Sequence, residues 1–503
     1  MLVPHHPDTT IVLQNLGYDV PAPILSRYDW AGVTPFEAQR QTAALLSSNT
    51  RAYCLSEMGT GKSLSVLFAF DYLKKVGRVN KMMIIAPLST LGVVWANEVF
   101  RWMPHLRTSI VHGTTRKLRE EALAEDADIY IINHDGPKTF FVDGQRTRQL
   151  SLRQFIIDRT DIDVVVIDEL AIFRNASTAR WKAVNLFLRS RGPDCFIWGL
   201  TGGPTPKGPM DAWAQAKLIT PHTVNLSALA FKHDTMVQVS QFQWVERKDA
   251  TAKVYGLLQP SIRYTREECV DLPETTYSMR QVPFSSEQSK AYKEMVATFV
   301  ATHPRGTVTA VNAAVQMGKL LQISTGFMYP KAGLPIPLDN KPRIDETLEI
   351  IEEAAGKVII FVPFKHGLNI VRRGIEKHYS CEVVSGDTPQ GKRTAIFNAF
   401  QHSTDPHVLI AHPKVAAHGL TLTSANTILW FSVLPDLEIY NQACARVARP
   451  GQTRKTHIIH LVSAPVEEKV ARVLERRGNM QAALLDAFEQ SRGSLLTKIN
   501  GKG

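Results

Sequence analysis

The feature that most restricts the fold of this 503-residue chain is a repeated one: short, unbroken apolar runs separated by helix-length sequence. Residues 82–86, 129–132, 164–167 and 196–200 form a first series. A second comprises 358–362, 382–384, 408–410, 427–431 and 457–462. A strand with one wet face alternates apolar and polar residues. A run that is apolar throughout is buried on both faces, as in a parallel sheet covered by helices. The fold class expected is therefore α/β, with two domains, each a parallel sheet flanked by helices. A chain of this length also exceeds what one hydrophobic core holds together. The boundaries read as an N-terminal appendage over 1–30, a first α/β domain over 31–230 and a partly helical connector over 231–340. A second α/β domain follows over 341–470, then a C-terminal helix and tail over 471–503, with helix expected from 466 to 477. Helices are expected within the connector over 287–299 and 311–323.

The 58 Lys+Arg outnumber the 47 Asp+Glu, giving a net charge of +11 and favouring a polyanionic partner such as nucleic acid. The five cysteines, Cys54, Cys195, Cys269, Cys381 and Cys444, contain no C-x-x-C pair. Their scatter speaks against a structural zinc site and against a disulfide framework, and for a reducing compartment. The N-terminus lacks a basic stretch followed by an apolar run, and no apolar stretch reaches the ~18 residues of a membrane span. A soluble, intracellular protein without membrane contact is expected.

Against that frame stands Ser56-Glu-Met-Gly-Thr-Gly-Lys-Ser63. Gly59, Thr60, Gly61, Lys62 and Ser63 form the back half of a P-loop, whose backbone amides cradle phosphates. Lys62 would reach the β- and γ-phosphates and Ser63 would sit on Mg2+. Ser56 occupies the place of the usual first glycine. An apolar strand over 52–55 and an amphipathic helix over 64–75 supply the order that such a loop needs. Asp168 and Glu169 end the run Ile162-Asp-Val-Val-Val-Ile-Asp-Glu169 at the edge where open α/β sheets bind ligands. There Asp168 would hold Mg2+ through water and Glu169 would activate the attacking water. Leu200-Thr-Gly-Gly-Pro-Thr-Pro206 leaves the next run in a tight turn suited to sensing a γ-phosphate. Upstream, the carboxamide of Gln39 has the donor and acceptor needed to read an adenine edge. In the second half, Gln442, Arg446 and Arg449 fall at i, i+4 and i+7, on one face of a helix. Two guanidiniums so placed could stabilise a transferring phosphoryl group.

In order and wording these segments resemble the superfamily-two helicases, specifically the Swi/Snf-type DNA translocases. Residues 56–63 are similar to that family's D-E-M-G-L-G-K-T. Ile85-Ala-Pro-Leu-Ser-Thr-Leu91 with Trp95 and Glu98 resembles A-P-L-S-L-L-x-x-W-x-x-E. Leu200-Thr-Gly-Gly-Pro204 is similar to L-T-G-T-P, and 213–221 continues in the same manner. Ser385-Gly-Asp-Thr388 with Arg393 and Phe400, His418-Gly-Leu-Thr-Leu422, and 442–452 resemble the later motifs D-G-S-T…R…F, G-L-N-L and Q-A-x-D-R-x-H-R-I-G-Q. The likeness spans about residues 34–475. Departures are specific: Asp168-Glu-Leu-Ala171 stands for D-E-G-H, so the family's coupling histidine is absent. Gly203 replaces a Thr, Thr421 an Asn and Ala448 a His. Asp168 and Glu169 themselves are kept.

The resemblance implies two RecA-like lobes that close on ATP and Mg2+. The first would contribute Gln39, Gly59, Thr60, Gly61, Lys62, Ser63, Asp168 and Glu169. The second would contribute Arg446 and Arg449, with Gly419 and Gln442 beside the nucleotide. It further implies DNA contacts at Ser89, Thr90 and Lys414, double-stranded DNA as the partner, a monomer, and a compact form like bacterial or phage members, working in the cytoplasm. A strand-separating or annealing helicase on forked DNA or RNA, and an ATP-gated clamp with little turnover, are the alternatives. No fork-splitting hairpin is evident in the sequence.

Overall fold

In a computed structural model of the chain, the residues described are 4–470, apart from 31–32, 114, 138–158, 207, 241–242, 270–272, 299, 304–305, 310–312, 331–333, 417–420, 435, 450, 466 and 469. They fall into two compact units that part after residue 270.

The first unit is built on β1 (Arg51–Cys54), β2 (Lys81–Ala86), β3 (Thr108–Val111), β4 (Ile129–Asn133), β5 (Ile162–Ile167) and β6 (Phe196–Leu200). A hairpin of β7 (Met236–Ser240) and β8 (Gln243–Glu246) follows, then β9 (Ser261–Ile262). Apart from the hairpin these strands form one sheet in the order β3-β4-β2-β5-β6-β1-β9, with every pairing parallel. The continuous apolar runs have the cause expected of them. In β2, Met82, Ile84 and Ala86 enter one core while Met83 and Ile85 enter the other. In β5, Val164 and Val166 face the first core, and Val165 and Ile167 the second. The helices Glu37–Ser47 and Lys62–Lys75 cover one face, and Ala179–Arg189 and Met210–Ile219 the other. Burying both faces drives the association of the layers, at roughly 25 cal/mol per Å2 of apolar surface.

The second unit contains β10 (Thr275–Gln281), a hairpin of β11 (Val300–His303) and β12 (Gly306–Thr309), and a short pair of β13 (Phe327–Met328) and β14 (Ile336–Pro337). Then come β15 (Lys357–Phe361), β16 (Cys381–Val384), β17 (Val408–Ala411), β18 (Ala425–Trp430) and β19 (Thr456–Val462). Its main sheet is again parallel throughout, in the order β10-β19-β18-β15-β17-β16. Both units thus bear out the α/β expectation.

Three elements had little signal in the sequence. β3 and β9 are edge strands, too short to stand out as apolar runs. β10, reading Thr-Thr-Tyr-Ser-Met-Arg-Gln, is polar because most of it is exposed at the edge beside β19. The two connector helices are Ser286–Thr298 and Ala313–Thr325, close to expectation, with the β11–β12 hairpin between them. Much of the helix expected over 466–477 lies outside the described residues. Among the described residues no helix is long and apolar enough to cross a membrane.

The second unit is cross-tied by one buried ion pair. Arg343 and Glu467 are almost wholly buried and meet at 2.6 Å. The guanidinium also donates to the carbonyls of Phe431, Ser324 and Leu461 and to Ser463 Oγ. With every donor direction used, the desolvation cost of the buried charge is offset.

Candidate nucleotide-binding site

The loop after β1 takes the form its glycines permit. Gly59 has φ +87° and Gly61 φ +78°, left-handed conformations that cost an L-residue with a side chain roughly 1–2 kcal/mol. Gly61 also lacks room for a side chain: a Cβ there would lie 3.0 Å from Gln39 Cδ and closer still to its Nε2. The helix Lys62–Lys75 begins directly afterwards, so its unpaired amides open onto the loop. Lys62 Nζ donates to the carbonyls of Ser56 at 2.7 Å and Glu57 at 3.0 Å, and Thr60 Oγ1 to that of Glu57 at 2.9 Å.

Ser56, where a first glycine was expected, has a structural task. It is buried, and its hydroxyl accepts the Tyr264 amide at 3.1 Å. The strand segment that supplies Tyr264 runs along the edge of β1 and the loop. Tyr53, Leu55 and Glu57 donate their amides to the carbonyls of Pro260, Ile262 and Tyr264. Buried Arg263 donates to Leu55 O at 3.0 Å and pairs with Glu57 at 3.2 Å, while the Arg266 amide donates to the same carboxylate. This strap was not read from the sequence. The signal available was an Arg263-Tyr-Thr-Arg266 cluster in a segment otherwise without a role.

Sheet order brings the remaining pieces to the same edge. β6 lies between β1 and β5, so the ends of all three strands are neighbours. After β6, Thr201 donates its amide to Cys54 O at 3.1 Å. Gly202 follows, and a Cβ on it would be 3.6 Å from Ser56 O, ordinary contact with the loop's first residues. After β5, Asp168 donates its amide to Ile85 O at 2.9 Å, and its carboxylate accepts Trp95 Nε1–H and the Glu169 amide, each at 3.0 Å. Burial pushes the Asp168 carboxyl above the ordinary carboxylate range, against the Trp95 hydrogen bond and the charge of Lys62, which pull it down. Lys62 and Asp168 thus lie at the same edge of the sheet, at the ends of β1 and β5 with β6 between them. Glu169 has φ +52°, ψ +51°, and is the one non-glycine at positive φ among the described residues. Strain of that kind, of order 1–3 kcal/mol, persists where the surroundings enforce it.

Gln39 is buried at the start of its helix, and its Oε1 accepts the Phe36 amide at 2.9 Å. The acceptor half of the carboxamide is thus used within the helix, while its Nε2 faces Gly61. Thr90 closes a tight turn through its hydroxyl on Pro87 O at 2.9 Å. Ser89 lies in the same turn, Leu88–Thr90.

In the second unit the helical-face argument for the arginines is corrected. The helix Leu437–Cys444 holds Gln442, which is buried, but stops before Arg446 and Arg449. The chain tightens there: Arg446 and Val447 donate amides three residues back, to Ala443 and Cys444. The reason is a competing set of partners. Arg446 O accepts the Leu422 amide, and the Gln452 carboxamide donates to the carbonyls of Ala425 at 2.7 Å and Thr423 at 3.3 Å. Arg446 and Arg449 therefore sit on a turn held to the end of the sheet. Lys414 is exposed in the short helix Pro413–Ala416. Gly419 lies outside the described residues.

Two left-handed glycines, a lysine and a serine at a helix start, and an acidic pair at the end of β5 on the same sheet edge fit a nucleoside triphosphate with its divalent cation. This is the constellation of a P-loop nucleotide hydrolase with a second α/β unit. The chain belongs to the SNF2-related family: the SNF2-related domain matches residues 46–328, and the helicase conserved C-terminal domain matches 342–451. It is accordingly an ATP-hydrolysing enzyme of the helicase type. The putative protein p41 of Acyrthosiphon pisum secondary endosymbiont phage 1 is 25% identical, covering 86% of this chain and 94% of that protein. The putative ATP-dependent helicase/translocase YwqA of Bacillus subtilis is 24% identical, with 86% of this chain and 46% of that protein covered. The chain thus spans nearly all of the phage protein and less than half of the bacterial one. A solved SWI2/SNF2 ATPase core from Sulfolobus solfataricus, in complex with dsDNA, is 22% identical with a TM-score of 0.41, covering 94% and 98% of the two chains.

Proposed function

We propose that the chain converts ATP hydrolysis into movement along double-stranded DNA. The observation that carries this is the sheet order that puts the P-loop and the Asp168–Glu169 turn at one sheet edge, in a chain of this family with a net charge of +11. Gly59, Thr60, Gly61 and Lys62 bind the phosphates, Gln39 stands at the base, and Ser63 and Asp168 hold Mg2+. Held by those two residues, a cation would supply charge neutralisation for the triphosphate. Glu169 orients a water for in-line attack and takes its proton. Arg446 and Arg449, with Gln442 and Gly419, are the second unit's contribution, the guanidiniums offsetting charge on the transferring group. Tracking a DNA backbone takes positive charge and no base reading, and Ser89, Thr90 and Lys414 are assigned to it. The chain acts as a monomer.

ATP turnover without nucleic acid and with single-stranded DNA, blunt duplex and RNA, in wild type and Lys62→Ala, tests this. Stimulation by blunt duplex that the variant loses supports translocation and leads to a triplex-displacement assay. Tight ATP-dependent DNA binding without turnover would leave a clamp, and a Glu169→Gln variant then separates the two: a motor stops stepping, a clamp keeps its binding cycle. A strand-separating reading has one observation of its own. The β7–β8 hairpin exposes Val237, Val239 and Val245, apolar side chains that could wedge between bases at a fork. Stimulation confined to forks or single strands would favour it.

A further inference from the structure

The Asp168–Glu169 turn is held from two sides by side chains to which no motif assigned a role there. On one side the fully buried Trp95 donates its indole N–H to Asp168 Oδ2 at 3.0 Å. On the other, His134 Nε2 lies 2.7 Å from the Asp168 carbonyl oxygen. A carbonyl only accepts, so the imidazole carries its proton on that nitrogen. The His134 ring also meets Phe173 edge-on, 5.4 Å between centroids, in the 3-10 turn Leu170–Phe173 that follows Glu169.

The backbone explains how these groups arrive. β2 lies between β4 and β5 in the sheet. The His134 amide donates to Ala86 O at 3.0 Å and the Asp168 amide to Ile85 O at 2.9 Å, so both residues are pinned to the end of β2. His134 reaches Asp168 across that strand end. Trp95 comes from the segment after β2, on the π-helical turn Leu91–Ala96, which directly follows the turn Leu88–Thr90. Interruptions of this kind re-aim side chains within a helix. Position 171, where the resembled motif has histidine, holds a buried alanine that can make no side-chain hydrogen bond.

We propose that His134 and Trp95 are positioning residues that together hold the Asp168–Glu169 turn in its left-handed geometry. The proposal rests on the ATPase reading above. Neither residue touches substrate; each acts through the acidic pair. His134 fixes the backbone of Asp168 and the turn after Glu169, and Trp95 fixes the direction of the Asp168 carboxylate. The P-loop itself makes none of these contacts, so losing either N–H should misplace the acidic pair and leave phosphate binding alone.

The test uses the full chain with His134→Phe, His134→Gln and Trp95→Phe. Phenylalanine at 134 keeps a ring against Phe173 and removes the donor; glutamine restores an N–H. Three quantities are read: ATP turnover, affinity for a fluorescent ADP analogue in Mg2+ and in EDTA, and Tm. His134→Phe and Trp95→Phe are expected to lower kcat about tenfold or more, with KM within about threefold of wild type. The gain in affinity on adding Mg2+ falls as well, while affinity in EDTA and Tm hold. His134→Gln recovers kcat to within about threefold of wild type. Wild-type kcat and an undiminished Mg2+ gain in His134→Phe would overturn the proposal. So would a loss of EDTA affinity together with a lowered Tm, which would mark a role in folding alone. A wild-type chain that neither hydrolyses ATP nor binds the analogue would refute the ATPase reading beneath it.

Discussion

Substituting Gly61 by alanine tests whether the phosphate loop is shaped by steric necessity. Two costs follow from the geometry. The backbone at φ +78° disfavours any L-side chain by about 1–2 kcal/mol. The new methyl would also strike the Gln39 carboxamide. Relief requires that group to swing away and give up the hydrogen bond its Oε1 accepts from Phe36, worth about 0.5–1.5 kcal/mol. The sum is about 1.5–3.5 kcal/mol, of which only the second part depends on Gln39. A double-mutant cycle separates them. Guanidinium unfolding followed by tryptophan fluorescence reports on the first unit, because Trp430 is the one tryptophan beyond residue 270. Gly61→Ala should cost less in the Gln39→Ala background, by about 0.5–1.5 kcal/mol. Equal costs in both backgrounds would refute the contact; a total below about 0.5 kcal/mol would refute the strained loop as well.

Arg343→Ala should destabilise the second unit by about 3–5 kcal/mol, since it strands a buried carboxylate. Arg343→Met with Glu467→Leu should come within about 1 kcal/mol of wild type, both variants being read by guanidinium unfolding followed by far-UV circular dichroism, which reports on both units; a large loss there would mean that the charges themselves are required. Burial pushes His460 down to about 4 from its ordinary 6.5. Its neutral form therefore contributes stability that is complete above about pH 6.5 and is lost as pH falls to about 4. The second unit should lose roughly 1.4 kcal/mol per pH unit in that window, a slope that His460→Gln removes. Glu169→Gln should abolish turnover while ATP binding, read by a fluorescent analogue, stays within about threefold; residual turnover near wild type would take the general-base role away from Glu169.

The parallel sheets were legible because burial on both faces leaves short runs that are apolar throughout, too short for a helix and without the alternation of a half-wet strand. Strands β2, β4, β5 and β6 were read within a residue or two. Edge strands were not, since β10 is exposed and its polar residues carry no burial signal. In the P-loop, Gly59 and Gly61 were legible as glycines with a purpose, because a left-handed backbone at those two positions admits little else. What replaced the missing glycine at Ser56 was not, because its partner Tyr264 is remote in sequence and meets it through the sheet.

By itself the chain marked Lys62, Ser63, Asp168 and Glu169 as the candidates for phosphate and acid chemistry, since local spacing puts them at strand ends. Tertiary structure decided which side chains hold them. His134 and Trp95 come from separate segments and meet Asp168 only after β4, β2 and β5 have paired. It also ended the helix at Cys444, because the Leu422 amide and the Gln452 carboxamide claim the carbonyls of Arg446 and Val447, which a longer helix would have kept for itself. Local spacing fixes the chemistry a residue can offer; long-range hydrogen bonds fix where that chemistry points.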